Sequence, residues 1–519
     1  MKQRLVLFFK YYFFWIVLFQ LQKLLFILFQ YKRMGDISFT DCVQVLLHAF
    51  PLDLSVASYI TALFALLMIV SNWYIGKWIP RIGHIITSIL LGILIIVFIG
   101  DTGTFEYWGY HWDKSIFPFL QSPKEVLACA LWWQWILAVL LFAAAFLACG
   151  YAYLKWITWD KLELSSNPRT RWWQTGVWVL ITTLLFLPMR GSVTVSTMNT
   201  GRAYFSSNQM LNQAAINPIF NLIESLSENT FDLEKYTYMS TKEAVQLTQE
   251  LLPENRWKNK TNESIFTTQR PNVIVIMLES FSANALEAMP NLQKLAKEGI
   301  YFSNAYASSF RTDRGVVSFL SAYPGQPTSS LMTVPSKAQR LPQIGKALKK
   351  EGYQLHFYYG GDEDFTNMRS YLINGKFDER TVDKDFPVKE RLSKWGVHDH
   401  IVFERAAHEI VQRYNQNSNA RYLDVILTLS SHEPFKVPYN RLSDPIQNAF
   451  AYTDECLGSF IDRLKQPPVW DNLLIVCIPD HGFRYPREQV DRGGEFSHIP
   501  MLWLGGAVKQ PLKVEQIVN

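Results

Sequence analysis

In the second half of the chain, three runs of uninterrupted apolar residues each end in side chains that can bind a metal or move a proton. Val273–Leu278 runs into Glu279, Leu423–Leu429 into Ser430, Ser431 and His432, and Leu473–Ile478 into Pro479, Asp480 and His481. Carboxylate and imidazole ligands together suit Zn²⁺ or Mn²⁺. Such an ion polarises a phosphoryl or sulfuryl oxygen and lowers the pKa of a bound hydroxyl. The stretch Ser308-Ser309-Phe310-Arg311-Thr312-Asp313-Arg314-Gly315 offers a nucleophile, because it precedes an apolar helical pattern, Val316–Ala322. Thr312 then sits near a helix N-terminus, where free N–H groups and the helix dipole favour an anion. A threonine alkoxide there is a competent nucleophile. Equally, Thr312 or Asp313 serves as the helix cap.

Positioning these groups together requires a sheet. The apolar runs Val273–Leu278, Gln354–Tyr359, Leu423–Leu429, Leu473–Ile478 and Met501–Leu504 alternate with helical patterns at Met289–Glu298, Pro342–Glu351, Asp399–Tyr414 and Asn448–Leu464. Strand–helix alternation predicts βαβ units around a mostly parallel sheet, and runs without polar alternation predict strands buried on both faces. Open α/β sheets bind ligands at the carboxyl ends of their strands. That edge is where Glu279, His432, Asp480 and His481 fall. A single histidine after a strand is ordinarily a surface or capping residue; three strands delivering such groups to one edge indicate a site. His356 reads as a core or sheet histidine, His398 and His400 as surface residues at a helix start, Trp395-Gly396 as packing and a turn, and Asp362, Glu363 and Asp364 as a loop beside the site.

The first half is different in kind. Five apolar stretches are long enough to cross a bilayer: about Leu5–Phe29, Val56–Ile79, His84–Ile99, Val126–Leu154 and Trp172–Met189. The first lacks the small-residue cleavage site of a signal peptide. Lys2, Arg4, Lys77, Arg81, Lys155, Lys161, Arg169 and Arg171 place the N-terminus in the cytoplasm and everything after Met189 outside it, with Lys32 and Arg33 on the unfavoured side. The expected organisation is a five-helix transmembrane domain over 1–190, a helical extracytoplasmic linker over 191–270 lying along the membrane surface, and a catalytic domain over 271–519. The net charge of +5 is dispersed over 519 residues, which argues against a nucleic-acid partner. The five cysteines, Cys42, Cys129, Cys149, Cys456 and Cys477, form neither a disulfide framework nor a zinc-finger spacing and read as structural.

Seven motifs, in order, carry a family resemblance. They are Asn272-Val273-Ile274-Val275-Ile276-Met277-Leu278-Glu279-Ser280, Arg311-Thr312-Asp313-Arg314-Gly315, Tyr358-Tyr359-Gly360-Gly361 with Phe365-Thr366-Asn367-Met368-Arg369, Lys394-Trp395-Gly396-Val397-His398-Asp399, Thr428-Leu429-Ser430-Ser431-His432-Glu433-Pro434-Phe435, Pro479-Asp480-His481-Gly482 and Ser497-His498-Ile499-Pro500. Together with the preceding spans they resemble the lipoteichoic acid synthase-like branch of the alkaline phosphatase/sulfatase superfamily. The resemblance implies Glu279, Thr312, Asp480 and His481 as ligands of one divalent ion, Mn²⁺ or Zn²⁺, and allows for a second ion. It implies Thr312 as the nucleophile that takes a head group from a lipid as a phosphothreonine ester. It also implies His432, His498 and Arg369 as substrate-binding residues, His432 doubling as the acid for a leaving alkoxide. The family pattern Phe-Trp-Asn-Arg becomes Phe365-Thr366-Asn367-Met368-Arg369 here, so the Trp is absent and the Arg displaced by one. Members of the family continue past the point matched by Asn519, which implies a C-terminally incomplete domain.

The expected activity is a metal-dependent phosphotransferase of the plasma (inner) membrane. It would move a phosphoglycerol- or phosphoethanolamine-type head group from a membrane phospholipid to an extracytoplasmic glycan or lipid. The alternatives on the same fold are a sulfuric ester or phosphodiester hydrolase and a non-enzymatic sensor. Formylglycine sulfatases need a Cys or Ser nucleophile followed by Pro, and Arg311-Thr312-Asp313-Arg314 has neither.

Overall fold

The computed structural model describes residues 1–117, 131–159, 162–227, 237–251, 264–466, 468–486 and 494–519. Cys129, Lys161 and the beginning of the fourth expected span lie outside the described residues. The chain divides into two compact units, Met1–Glu228 with Asp364–Asn374, and Asn229–Glu363 with Gly375–Asn519.

Among the described residues of the first unit, five helical stretches are long and apolar enough to cross a membrane. They are α1 (Lys2–Phe29), α2 (Phe39–Ser71), α3 (Trp78–Trp108), α4 (Trp132–Trp156) and α5 (Pro168–Leu184), the last extended by a short helix to Arg190. At 33 residues, α2 is about 50 Å long, well over the roughly 30 Å of a bilayer core. A capping box sets its start: Ser38 Oγ accepts the Asp41 N–H, and the Asp41 carboxylate accepts the Ser38 N–H. The ends of α1, α2 and α3 around Phe26, Val45, Leu52 and Phe105 form one apolar cluster with Ala203, Tyr204, Leu211 and Ala215. The segment expected to lie along the membrane is thus folded in part onto the spans. Its helices α6 (Gln209–Ala215) and α7 (Pro218–Ser227) belong to the first unit. Arg33 donates to the Phe105 carbonyl at 3.2 Å and covers the Phe105 ring. Its charge therefore lies beside the last turn of α3, where a cation is favoured by the helix dipole.

The charged groups buried among these helices have partners. Lys23 and Asp53, both fully buried, pair at 2.8 Å. Gln20 donates to the same carboxylate at 2.7 Å and Asn217 at 2.8 Å. Arg4 donates to Ser71 Oγ at 2.9 Å and to the Ser71 and Glu163 carbonyls at 2.8 and 3.0 Å.

The second unit is built on an 8-stranded sheet in the order β4-β3-β5-β1-β6-β7-β2-β8. The strands are β1 (Asn272–Leu278), β2 (Ile300–Tyr306), β3 (Tyr353–Tyr359), β4 (Glu379–Thr381), β5 (Arg421–Leu427), β6 (Leu473–Pro479), β7 (His498–Leu504) and β8 (Leu512–Val514). Every neighbouring pair is parallel except those made by β7, which runs antiparallel to β6 and β2. Three helices matter for the site: α8 (Thr312–Ser321), α9 (Asp399–Gln416) and α10 (Pro445–Leu464). On one face, Ile274, Ile276, Leu278, Ile426 and Ile475 pack with Val402, Phe403 and Ala406 of α9 and Ala449, Leu457 and Phe460 of α10.

The apolar runs locate the strands with small shifts. β5 ends at Leu427, so Thr428–His432 is loop, and β7 reaches back to His498. β2 and β8 had no apolar run to announce them. β2 reads Ile-Tyr-Phe-Ser-Asn-Ala-Tyr and is only partly buried, and β8 is 3 residues at the sheet edge. A register shift in β2 between Phe302 and Ala305 lies opposite Pro500 of β7, which has no N–H to give to a ladder.

The Lys23–Asp53 pair makes a direct prediction. Asp53→Ala, which strands a buried ammonium, costs about 3–5 kcal/mol. Lys23→Met with Asp53→Leu recovers part of that loss, read as the thermal denaturation midpoint of the detergent-solubilised protein. A single variant as stable as the wild type would show the pair to be hydrated.

Candidate active site

β5, β1 and β6 are adjacent and parallel, with Leu278 in register with Pro479 and Met277 with Leu427. Their carboxyl ends therefore release Glu279, the Thr428–His432 loop and Asp480-His481 side by side. Glu279, Asp480 and His481 are buried, and one ligand atom from each lies within 4.8 Å of the others. Antiparallel β7 begins at His498 opposite Tyr306, the last residue of β2. The chain leaving Tyr306 then leads through Ser308–Arg311 to Thr312.

Thr312 is not the cap residue of its helix. The cap residue of α8 is Arg311, in extended conformation and without a side-chain cap bond. Thr312, the first helical residue, donates its hydroxyl to Glu279 Oε2 at 3.0 Å. It is oriented toward the carboxylates. The approach of α8 depends on Gly315, where a Cβ would lie 1.8 Å from the Asp480 carbonyl oxygen.

Each carboxylate is held by its backbone and neighbours. The Glu279 N–H donates to Thr428 Oγ1 at 2.8 Å, and its carbonyl accepts Ser431 Oγ at 2.5 Å. Asp480 Oδ1 accepts the N–H groups of Ser280 and His481 at 2.9 and 2.8 Å. Ser280, at φ 59°, also donates its hydroxyl to Glu279 Oε1 at 2.7 Å. A non-glycine residue held in the left-handed region is strained and persists where its surroundings fix it. His481 Nδ1 donates to the Gly482 carbonyl at 2.7 Å, which leaves Nε2 facing Glu279 and Asp480 at 3.5 and 3.7 Å.

Electrostatics separate the two acids. Burial and the Glu279 charge push the Asp480 carboxyl up to about 7. Burial opposes ionisation of Glu279 too, but the His481 imidazolium, with His432 and Ser280, holds it down at about 2. Burial disfavours a charged His481, yet Asp480 and then Glu279 raise it to about 10. Asp480 Oδ2 is buried and makes no hydrogen bond. An orphaned carboxylate oxygen beside an imidazole Nε2 and a second carboxylate fits a divalent cation. Glu279, Asp480, His481 and the Thr312 hydroxyl are the groups that could hold it.

The other expected residues are not part of this group of three. His432 is half-buried, its Nδ1 donating to the Glu433 carbonyl at 3.0 Å. His498 stacks on Tyr306 and donates from Nε2 to the Ser303 carbonyl at 2.7 Å. Arg369 belongs to the first unit, where it donates twice to Asp364 at 2.6 and 3.1 Å. Of the acidic loop, Glu363 pairs with Arg380 and Lys384. His356 is a core histidine, 3.1 Å from Glu379. His398 departs from expectation: it caps α9 from a buried position, whereas His400 is exposed. Ser280, Gly315, Thr428 and Ser431 had no role assigned from sequence, although each lies within a motif.

A sheet that gathers two carboxylates, an imidazole and a helix-borne hydroxyl at its carboxyl edge defines an alkaline phosphatase-like domain. Residues 271–519 match the Sulfatase family model, and this part of the chain is a sulfatase-family domain. It is similar to phosphoglycerol transferase I of Xanthomonas campestris pv. campestris (strain B100), 25% identical over 41% of this chain and 34% of that protein. It is also similar to lipoteichoic acid synthase of Staphylococcus aureus (strain USA300), 24% identical over 41% and 36%. The matches thus span about a third of the length of these curated relatives. Among solved structures, an alkaline phosphatase superfamily protein of Vibrio parahaemolyticus aligns over 55% of this chain and 73% of its own, with 26% identity and a TM-score of 0.47. Lipoteichoic acid synthase LtaP of Listeria monocytogenes aligns over 49% and 70%, with 20% identity and a TM-score of 0.45.

Two predictions follow from this geometry. A cation must displace protons from His481 and from part of the Asp480 population, so Mn²⁺ binding at pH 7 releases about one to two protons. Calorimetry in buffers of different ionisation enthalpy measures that number, and affinity rises as pH climbs through about 7, where Asp480 ionises. Zero release would place the ion elsewhere. Gly315→Ala, by driving α8 away from Asp480, lowers Mn²⁺ affinity; unchanged affinity would show that α8 can shift without disturbing the ligands.

Proposed function

We propose that the chain is a metal-dependent phosphotransferase. It moves a phosphoglycerol- or phosphoethanolamine-type head group from a membrane phospholipid to an extracytoplasmic glycan or lipid. The observation that carries this reading is the Thr312 hydroxyl, turned from helix capping to a 3.0 Å hydrogen bond with Glu279. Thr312 Oγ attacks the phosphorus of the donor, and its proton passes toward the carboxylate it already faces. The phosphorus–oxygen bond to the diacylglycerol breaks, leaving the head group as a phosphothreonine ester. His432, whose Nδ1 is committed to the Glu433 carbonyl, offers Nε2 to protonate the departing alkoxide. An acceptor hydroxyl, giving its proton to His432, then displaces Thr312 from phosphorus, and Thr312 Oγ takes back the proton held by Glu279. A divalent cation, Mn²⁺ or Zn²⁺, bound by Glu279, Asp480, His481 and Thr312 would supply Lewis-acid stabilisation of charge on the phosphoryl oxygens. His498 is assigned to substrate.

Membrane anchoring suits a donor that resides in the bilayer. The reading places the N-terminus in the cytoplasm and the second unit outside it, because Arg4, Lys77, Arg81, Lys155, Arg169 and Arg171 fall on the cytoplasmic side of that arrangement. Two relatives bear the names phosphoglycerol transferase and lipoteichoic acid synthase, which agrees with head-group transfer.

The test is intact-protein mass after incubation with Mn²⁺ or Zn²⁺ and mixed bacterial phospholipids. Wild type gains a mass equal to one phosphorylated head group, and Thr312→Ala gains none while losing at least about 1,000-fold in turnover. Turnover to free head-group phosphate, with no adduct on quenching, would instead assign a hydrolase.

A further inference from the structure

The segment Ser393–Asp399 holds the loop that carries His432. Its own place is fixed by β3: the Val397 N–H donates to the Gly360 carbonyl at 2.8 Å, and at Gly396, with φ 142°, a Cβ would fall 2.0 Å from that same oxygen. From this base Asp399, only 1% exposed, reaches the β5 loop. Its Oδ1 accepts the Leu429 N–H at 2.8 Å and the Ser430 N–H at 3.2 Å. Its Oδ2 accepts Thr453 Oγ1 at 2.8 Å, and its own N–H donates to Ser430 Oγ at 3.0 Å. Such a carboxylate fixes two consecutive peptides immediately before Ser431 and His432.

Trp395 completes the hold from the other side. Its ring centroid is 4.2 Å from that of His432, and its indole Nε1 donates to the Glu433 carbonyl at 2.7 Å. That carbonyl is also the acceptor for His432 Nδ1. One oxygen therefore ties the indole to the imidazole. By committing Nδ1 as a donor, the arrangement orients Nε2 outward.

We propose that Trp395 and Asp399 are positioning residues for His432, setting its ring orientation and the nitrogen it presents to substrate. The inference rests on the phosphotransferase reading for what His432 does, but its geometric content is separable from that reading. Trp395 was expected to be only packing and a turn, and Asp399 only the start of a helix.

The test has two arms on the full-length protein in detergent with Mn²⁺. In the first, diethyl pyrocarbonate labels histidines and peptide mass spectrometry reads the rate at His432. Trp395→Leu and Asp399→Asn raise that rate by about fivefold, the factor that corresponds to losing one hydrogen bond of about 1 kcal/mol. Trp395→Phe, which keeps a ring beside His432 but also loses the indole N–H, rises by the same factor. Buried His356 is the internal control, because a misfolded variant labels there as well; Thr453→Val, which removes one bond to Asp399, replaces any variant that does so. Unchanged His432 labelling in the folded variants overturns the proposal.

The second arm measures turnover of a phospholipid and of bis(p-nitrophenyl) phosphate, whose leaving group needs no proton. Trp395→Leu and His432→Ala both lower kcat on the lipid more than on the nitrophenyl ester. Faster labelling combined with a His432→Ala enzyme of undiminished lipid turnover upholds the positioning and removes His432 from the reaction.

Discussion

Two carboxylates buried within a few ångströms of one another repel, and removal from water strengthens the repulsion. Glu279 and Asp480 stand in that relation, and the architecture of the second unit is organised around making it tolerable. His481 supplies a positive charge beside both. The N–H groups of Ser280 and His481 take one Asp480 oxygen, while the Ser280 and Thr312 hydroxyls go to Glu279. The second Asp480 oxygen is left unsatisfied. The cluster thus keeps one buried carboxylate oxygen available to a cation.

Rigidity is the other half of the arrangement. β1, buried between β5 and β6, ends in a residue whose N–H and carbonyl are both gripped by the neighbouring loop, through Thr428 and Ser431. Gly315 and Gly482 let α8 and the chain near Phe496 come within distances that a side chain would forbid. The first unit answers buried charge in the same way, with Lys23, Asp53, Gln20 and Asn217 closing a network where hydrocarbon offers no water to repair a missing partner.

What the sequence disclosed follows from which physical signals are local. Strands buried on both faces write themselves as unbroken apolar runs, so β1, β5 and β6 and the residues after them were legible, and with them Glu279, Asp480 and His481. β2 was not, because a partly exposed strand alternates and carries Ser303 and Asn304 at a bulge. The partner of the Thr312 hydroxyl was undecidable locally: a cap bond stays within the first turn of the helix, whereas the bond to Glu279 joins residues 33 positions apart. Ser280, Ser431 and Asp399 act through bonds to residues more than a hundred or about thirty positions away, or next in sequence but in a strained conformation. Composition and spacing hold no trace of such bonds.

The path of the chain between β3 and β4 bears on modularity. After Glu363 it leaves the second unit, contributes Asp364–Asn374 to the first, and returns at Gly375. There the Gly201 N–H donates to Asn367 Oδ1, Asn199 to the Asp364 carbonyl and Arg202 to the Asp364 carboxylate, and Ile373 joins an apolar cluster with Phe26 and Tyr204. Each unit is therefore discontinuous in sequence. A single cut between residues 228 and 271 would free neither as an intact module, since each would still share this segment, and a catalytic fragment begun at residue 271 would carry a helix made for a different core.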